Sequence, residues 1–277
     1  MKLQITLTVN EGKRIIALSI IQREDVQYAL KKGKILLKGG TTVSAISEEL
    51  VGQKLRIGGR ISPRGTMNAL KKFDQHHSIL VEGGTYTGID KMIEKVTGSL
   101  GKHDVIIVSP NAIDVDGNAA MMAAAPLGHD AGKAISGFSS QGCKVIIASG
   151  LEKLIPGKIS EAIQACGRIA IDKSFGAAVG LIPIVGELVT EKEAIEGLAD
   201  VSATVIGAGG IHGAEGSVTL VVDGEESEVN KIFEIVLKIK GAELGGTPES
   251  LTECEGGCPQ CGKHLACVYR IEEDSHS

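Results

Sequence analysis

One stretch of sequence decides the fold: Ile35-Leu36-Leu37-Lys38-Gly39-Gly40-Thr41-Thr42-Val43-Ser44. Its apolar beginning is typical of a short buried strand, and the glycine pair ends that strand. The residues that follow continue as a helix through Leu50, and Gly52 ends the helix. The stretch therefore predicts a strand, a glycine turn and a helix, which is the unit that builds parallel sheets.

The same order of elements recurs along the chain. Apolar runs precede glycine-rich or polar turns at 55–57, 79–81, 105–108 and 145–148, and helical stretches lie between them at 88–100, 130–141 and 158–166. Strands of Val and Ile that alternate with helices predict an α/β fold, with a mainly parallel sheet covered by helices on both faces. Ligands of such sheets bind where the strands end, and the predicted turns fall there.

The two ends of the chain follow other patterns. Residues 3–9 predict a strand and residues 12–32 a helix that Gly33 ends. From about residue 183 the order becomes strand, helix, strand, strand, helix, which predicts a small ferredoxin-like α+β unit. We therefore expect a ligand-binding domain at 1–182, the small domain at 183–241, and a linker with a cysteine-rich tail at 242–277.

Composition narrows the class of protein. The 277 residues carry a formal net charge of -5, and only 3% of them are aromatic, so a basic or base-stacking surface for nucleic acid is not expected. No run of about 18 uncharged apolar residues and no signal-peptide pattern occurs, which predicts a cytoplasmic protein without a membrane span. Cys143 and Cys166 stand alone, and the other four cysteines crowd into the tail, which fits a reducing compartment.

The first glycine turn is a candidate phosphate site. Gly39 and Gly40 let the backbone approach a ligand, and the next helix begins with unpaired N–H groups and a partial positive charge. The hydroxyl groups of Thr41, Thr42 and Ser44 add donors. The alternative is an ordinary capped helix after a tight turn, because Thr and Ser are common N-caps.

A second glycine turn has the same composition. Gly83, Gly84 and Thr85 follow the predicted strand at 79–81. If that strand is parallel to the first, both turns lie at one edge of the sheet and line one crevice. The two turns together therefore favour binding of a phosphorylated small molecule over a purely structural role.

Candidate catalytic residues follow the strand at 105–108. Asp114 and Asp116 lie in the turn at 109–118, where Asn111 is a candidate ligand-binding residue. Either carboxylate is suited to act as a general base or to hold a sugar hydroxyl. The alternative is a structural turn, since Asp, Asn and Gly are the commonest turn residues. His129, next to Asp130, is a further acid–base candidate, and the alternative there is a helix start.

A glycine-dense segment at 207–216 resembles a dinucleotide fingerprint only in composition. The fingerprint must open a helix, whereas residues 217–223 predict a strand. We therefore expect a hairpin loop, or a lid over the site.

The tail carries the most specific local motif. Cys254, Cys258, Cys261 and Cys267 lie within 14 residues, and the Cys-Pro-Gln-Cys-Gly segment is typical of a zinc knuckle. His264 is a candidate substitute for one thiolate. An iron–sulfur cluster also uses four cysteines, and a disulfide pair is a further alternative. The motif therefore predicts a closed structural metal site, with zinc as the favoured metal.

The order of these motifs resembles a superfamily that contains ribose-5-phosphate isomerase A, glucosamine-6-phosphate deaminase, the CoA-transferases and the effector domains of DeoR-type repressors. The likeness covers about residues 30–240. Residues 35–44 resemble the first strand and sugar-phosphate loop of that superfamily, and Gly58-Gly59-Arg60 is similar to a segment of the repressor effector domains. The resemblance implies that Gly59 and Arg60 contact the ligand. Residues 109–113 depart from the acidic motif of ribose-5-phosphate isomerase, so the resemblance does not carry that enzyme's own activity over.

Three functions follow from the sequence and stay open. The chain is a metabolic enzyme of isomerase-like or transferase-like type that acts on a phosphorylated or CoA-linked substrate, a metabolite sensor without chemistry, or an adaptor that docks through its metal-binding tail. A homo-oligomer is compatible with each of them. Fold alone does not choose among them.

Overall fold

The computed structural model describes residues 1–68, 74–254, 256–257 and 261–270. The strands are β1 (Lys2–Leu7), β2 (Lys34–Lys38), β3 (Gly59–Ser62), β4 (Gly65–Asn68), β5 (Ser78–Glu82), β6 (Thr85–Gly88), β7 (Val105–Val108), β8 (Ala112–Ile113), β9 (Ala119–Ala123), β10 (Lys144–Ala148), β11 (Gly180–Ile184), β12 (Glu187–Val189), β13 (Val201–Gly209) and β14 (Ser217–Gly224). The helices are α1 (Val9–Gln22), α2 (Glu24–Lys32), α3 (Thr41–Val51), α4 (Ile93–Thr97), α5 (His129–Ser140), α6 (Ile159–Ala165), α7 (Glu191–Leu198) and α8 (Glu226–Ile239).

The central element is a six-stranded mixed sheet with the order β12-β10-β7-β2-β5-β6. The four strands β12, β10, β7 and β2 are parallel, whereas β5 is antiparallel to β2 and β6 is antiparallel to β5. The predicted α/β fold with mostly parallel strands is therefore confirmed. The strand predicted at 55–57 does not form. The helix predicted at 88–100 does not begin at residue 88, because residues 85–88 form β6.

Both faces of this sheet are covered, as the sequence predicted. Alternate residues of β2 separate into two hydrophobic cores: Ile35 and Leu37 pack with α1, α2 and α3, whereas Leu36 packs with α4 and α5. All three side chains are fully buried. Since successive residues of a strand point to opposite faces, a run that is apolar throughout specifies a sheet buried on both sides.

A second sheet has the antiparallel order β1-β14-β13. Its first strand comes from the N-terminus, because β1 pairs with β14 along its whole length. In addition, β12 belongs to the six-stranded sheet although it lies beyond residue 182. The boundary expected at 182/183 therefore does not separate the two sheets. The predicted hairpin across residues 207–216 is confirmed, since β13 and β14 pair on either side of it.

The helix predicted at 12–32 is two helices. Thr8 caps α1 by accepting the N–H of Glu11, and the Glu11 carboxylate accepts the N–H of Thr8. The chain then leaves helical geometry at Arg23, whose ψ is 140°. The guanidinium of Arg23 pairs with Asp25 at 2.7 Å and with Glu187 at 2.6 Å. These contacts tie the break between α1 and α2 to the outer strand β12.

The tail packs on the main body. Ile57 N–H donates to Ser250 Oγ at 3.0 Å, and Ser174 N–H donates to the carbonyl oxygen of Ala266 at 2.8 Å. The segment expected to be a linker is therefore attached by hydrogen bonds within the described part of the chain. None of the helices in that part is long and apolar enough to cross a membrane.

Candidate functional site

The parallel strands bring the segments that follow them to one edge of the sheet. Lys38, the last residue of β2, pairs with Val108, the last residue of β7, and Ala148 and Val189 pair at the ends of β10 and β12. A cavity of about 1300 Å³ opens at this edge. Its volume suits a ligand larger than a simple phosphate ion.

The first glycine turn forms part of the cavity wall. A Cβ on Gly39 would lie 2.0 Å from the carbonyl oxygen of His77, and one on Gly40 would lie 3.1 Å from Ser109 Cβ. The turn is therefore glycine because two neighbouring chain segments press against it. Helix α3 begins directly after Gly40, with no side-chain cap on its first N–H groups. Those donors, together with the helix dipole, favour an anion at this point of the cavity.

Lys38 is the most unusual residue of the site. Its side chain lines the cavity, yet the residue is only 4% exposed. Among the described residues, no carboxylate forms an ion pair with it and no side-chain hydrogen bond reaches it. Burial, and secondly the nearby charge of Lys153, lower the pKa of Lys38 to about 8. A buried ammonium group without a counter-ion is costly, and an anionic ligand would offset that cost.

Lys153 lies beside it, in a short 3₁₀ turn after β10. Its Nζ donates to Ser109 Oγ at 2.8 Å. Burial lowers the pKa of Lys153 to about 8, and the negative charge of Glu152 opposes that shift. The charge of Lys153 acts on Lys38, and both residues line the same cavity. The site therefore concentrates positive charge at the ends of β2 and β10.

A buried acid group lies behind these lysines. Glu152 Oε1 is 3.7 Å from Lys13 Nζ, and both carboxylate oxygens of Glu152 are buried without a hydrogen-bond partner in the described part of the chain. Oxygens of Glu152 and Glu191 lie 1.8 Å and 3.0 Å from the point where a Cβ on Gly150 would stand, so the two carboxyl groups are close together. Glycine at this position leaves room for both of them.

Glu191 titrates near neutral pH. Burial, and secondly the charge of Glu152, raise the pKa of Glu191 to about 7, although its carboxylate accepts the N–H of Leu151 at 2.8 Å. Lys13 carries a lowered pKa because it is buried, and Glu152 opposes that shift. The group therefore contains three lysines and two carboxyl groups, so basic side chains outnumber acidic ones, which favours an anionic ligand.

His77 supplies a neutral imidazole to the same wall. Burial, and secondly the charge of Lys38, lower the pKa of His77 to about 4. Its Nδ1 lies 2.9 Å from the carbonyl oxygen of Arg56, so a proton on Nδ1 can donate to that oxygen. The Asp90 carboxylate accepts the backbone N–H groups of His77 and Ser78 and lies 3.6 Å from the Arg56 guanidinium. Because Arg56 is paired with Asp90, its guanidinium is less available to a ligand than the ammonium group of Lys38.

Several residues predicted from sequence line the cavity: Gly39, Gly40, Thr41, Gly59, Arg60, Asn111 and His129. Thr42 and Ser44 instead lie buried within α3. Ser44 Oγ donates to Glu48 Oε1 at 3.1 Å and accepts the N–H of Leu55 at 2.9 Å. The hydroxyl group of Ser44 therefore stabilises the fold locally and is not directed at a ligand.

The guanidinium of Arg60 is directed at the tail. It donates to the carbonyl oxygen of Ser250 at 2.9 Å and to that of Thr252. Glu253, the next residue, accepts the hydroxyl of Ser62 at 3.0 Å and lines the cavity. Arg60 thus fixes the tail as part of the cavity wall, and its side chain has fewer donors left for the ligand that the resemblance implied.

The expectation that the two glycine turns share one crevice is wrong. Strand β5 runs antiparallel to β2, and its last residue, Glu82, pairs with Lys34, the first residue of β2. Gly83 and Gly84 form the tight turn from β5 to β6 with φ of 58° and 78°, and Thr85 Oγ1 donates to the carbonyl oxygen of Glu82. These three residues therefore lie at the opposite edge of the sheet from Gly39 and Gly40.

Asp114 has the surroundings of a structural carboxylate. It is 3% exposed and accepts the N–H groups of Asp116, Asn118 and Ile159 as well as the side-chain amide of Asn118. Burial raises its pKa, but these hydrogen bonds together hold the pKa below its ordinary value. Among the described residues that line the cavity, neither Asp114 nor the exposed Asp116 is found. The turn interpretation thus explains both residues.

His129 lies at the rim of the cavity. Its side chain is 78% exposed, and its Nδ1 lies 3.5 Å from Asp130 Oδ2. The residue has a φ of 57°, at the junction between a 3₁₀ turn and α5. His129 is therefore exposed to solvent, whereas Lys38 is buried. Its role as an acid–base group stays a prediction.

The cysteine tail is described only in part, because Cys258 lies outside the described residues. Cys254 and Cys261 are each 5% exposed, and Gly256 N–H donates to Cys254 Sγ at 3.3 Å. The search for three or more grouped His, Cys, Asp or Glu side chains that could hold a metal ion finds none among the described residues. Cys267 is half-buried. The described residues therefore do not by themselves form the predicted four-ligand site.

The sequence patterns did not predict the charged residues at the back of the cavity. Lys13, Glu152, Lys153 and Glu191 come from three separate segments, which are α1, the turn after β10 and the start of α7, and only folding brings them together. A signal did exist for Lys38, since a lysine that ends a fully apolar run lies at the carboxyl end of a buried strand. For Glu191, the capping pattern of Thr190 and Glu193 marked a helix start but not a buried acid.

Comparison of the chain with protein-family models, with curated proteins and with solved structures gives no match. The chemistry of the site is therefore inferred from its own geometry.

Proposed function

We propose that this protein binds a phosphorylated or CoA-linked small metabolite in the cavity at the carboxyl ends of β2, β7 and β10. The observation that carries the proposal is Lys38, a buried ammonium group that has no carboxylate partner among the described residues. Lys153 and the uncapped start of α3 lie at the same edge. Amines and helix N-terminal amides are the groups that proteins use for phosphate.

The titration behaviour of the site supports an enzyme over a sensor. Lys38 and Lys153 titrate near pH 8 and Glu191 near pH 7, so all three groups exchange protons close to neutral pH. Groups with such shifted pKa values concentrate in active sites, because acid–base catalysis works best near the pH of the medium. Isomerase-like and transferase-like reactions both use such groups. A sensor would need only the charge.

Titration calorimetry with inorganic phosphate and with coenzyme A tests the binding function. The wild-type chain should bind at least one of them, and Lys38→Met should weaken binding about 10-fold or more, since a charged hydrogen bond contributes about 1.5–3 kcal/mol. Lys54→Met is the matched control, because Lys54 is exposed and outside the cavity lining. Equal affinities in wild type and Lys38→Met would refute the assigned site.

We also propose that the tail binds zinc through Cys254, Cys258, Cys261 and Cys267, with an iron–sulfur cluster as the alternative. The spacing of the cysteines and the N–H of Gly256 directed at Cys254 Sγ support the proposal. Metal analysis of the purified protein should find about one zinc per chain. A brown, iron-containing protein would favour the cluster, and a protein without metal but with four titratable thiols would refute both.

A further inference from the structure

Lys38 differs from an ordinary phosphate-binding lysine in its surroundings. Most buried lysines keep their proton because a carboxylate stands beside them. Lys13 is such a residue, since Glu152 lies 3.7 Å from its Nζ. Lys38 lines the cavity at 4% exposure with no such carboxylate among the described residues. Its nitrogen therefore meets the cavity without an acidic group that would hold it in the ammonium form.

Lys38 and Lys153 differ in the groups that surround them. Lys153 donates to Ser109 Oγ at 2.8 Å, and the charges of Glu152 and Glu191 favour its protonated form. Lys38 receives no comparable support, and the only charge that acts strongly on it is the repulsive one of Lys153. The surroundings of Lys38 therefore favour its neutral form, whereas Lys153 has a hydroxyl acceptor and nearby carboxyl groups. Burial next to a second cation is a recognised way to turn a lysine into a nucleophile.

The consequence is a sizeable population of neutral amine. With a pKa of about 8, roughly a tenth of Lys38 is unprotonated at pH 7. An ordinary lysine with a pKa of about 10.4 is unprotonated to only about 0.04% at the same pH. Lys38 therefore offers roughly 200-fold more free amine than an ordinary lysine.

We propose that Lys38 forms a covalent imine with a carbonyl group of the anionic substrate, so that the ligand of this cavity is a phosphorylated aldehyde or ketone. The inference rests on the proposed anion-binding function. The nitrogen lone pair of the neutral amine adds to the carbonyl carbon, and the π electrons of the C=O bond move to oxygen. One proton passes from nitrogen to that oxygen and gives a carbinolamine. The second N–H proton then passes to the hydroxyl group, which leaves as water while the nitrogen lone pair forms the C=N bond. No oxidant, reductant or further reactant is required.

The rest of the wall suits this reaction. Lys153, whose Nζ donates to Ser109 Oγ, lines the same cavity and can hold the phosphate while Lys38 reacts. The first N–H groups of α3 serve the same anion, because Gly40 and Thr41 also line the cavity. Lys153 is then a positioning residue that keeps the pKa of Lys38 low through its charge. The alternative is that Lys38 is only a phosphate ligand.

Pyridoxal 5′-phosphate serves as the probe, because it carries a phosphate and an aldehyde on one small molecule. The protein is treated at pH 7 with a limiting amount of probe, reduced with borohydride and digested, and the modified lysines are identified by mass spectrometry. Lys38 should be modified at least about 10-fold faster than the exposed Lys54, and inorganic phosphate should protect it. Circular dichroism confirms that each variant is folded.

Two variants separate the roles. Lys38→Arg keeps the positive charge but cannot form the imine, so it should still bind inorganic phosphate while labelling at this site disappears. Lys153→Gln should slow the labelling of Lys38 at pH 7 and move its pH profile to higher pH. If wild type binds phosphate but Lys38 is labelled no faster than Lys54, the imine proposal is overturned. If wild type binds neither phosphate nor the probe, the proposed function itself fails.

Discussion

Replacing Lys38 by methionine should stabilise the protein in the absence of ligand. The side chain is buried, and burial together with the charge of Lys153 lowers its pKa from an ordinary value of 10.5 to about 8. One pKa unit corresponds to 1.36 kcal/mol, so the protonated side chain costs the folded state about 3 kcal/mol. Methionine has a similar length and no charge, and it avoids that cost.

The effect depends on pH in a direction that linkage fixes. Below pH 8 the lysine is protonated in both folded and unfolded chains, and the full cost is present. Between pH 8 and 10.5 the folded chain loses the proton while the unfolded chain keeps it, so the stability of the wild-type protein rises in this window. The advantage of Lys38→Met should therefore be largest at pH 7 and should shrink towards pH 10.5.

Urea unfolding followed by circular dichroism at pH 7, 9 and 10.5 measures this difference. Lys54→Met is the control, because it removes an exposed ammonium group and should change the free energy of unfolding by less than about 0.5 kcal/mol. A Lys38→Met variant that is less stable than wild type at pH 7 would refute the reasoning, because it would mean that the ammonium group is well paired in the folded protein.

Three further predictions concern other parts of the site. Glu191→Gln should be more stable than wild type above pH 7 by about 3 kcal/mol, and the difference should vanish towards pH 4.5. The reason is that burial raises the pKa of Glu191 to about 7, so the free energy of unfolding of the wild type falls between pH 4.5 and pH 7. Unfolding measured at several pH values will show the difference. Gly40→Asp should weaken phosphate binding at least about 10-fold in calorimetry, because it adds a carboxylate beside the lysines. Gly84→Asp, at the opposite edge of the sheet, should leave the affinity unchanged. Equal losses in both variants would argue against the assigned edge. Asp114→Ala should lower the free energy of unfolding by about 2–4 kcal/mol, because it leaves buried N–H groups without an acceptor, and a fully stable variant would contradict the structural role.

Local sequence patterns predicted most of the scaffold. The run of Ile35, Leu36 and Leu37 is apolar on both sides of the strand, and such a run can be satisfied only inside a sheet that is covered on both faces. The glycine pair after Lys38 and the helix to Val51 also follow from short-range rules, since glycine ends strands and hydroxyl residues open helices.

Strand direction was not available from the same patterns. The residues around Gly83 have the composition of those around Gly39, but β5 runs antiparallel to β2, so its turn lies at the other edge. An apolar run of five residues has the same appearance in either direction, because direction is set by pairing with distant strands and by the length of the connection. Composition therefore favoured a crevice shared by the two glycine turns, and the direction of β5 makes that inference wrong.

What the sequence determined by itself is the kind of fold and the position of one loop, because strand period, helix caps and glycine turns act over a few residues. What only the tertiary structure decided is the chemistry of the site. Lys13, Lys38 and Glu191 have ordinary neighbours in sequence, and their pKa values shift because folding removes water from them and places charged groups beside them. Desolvation and Coulomb interactions depend on distance in space, which adjacent residues in the chain do not reveal.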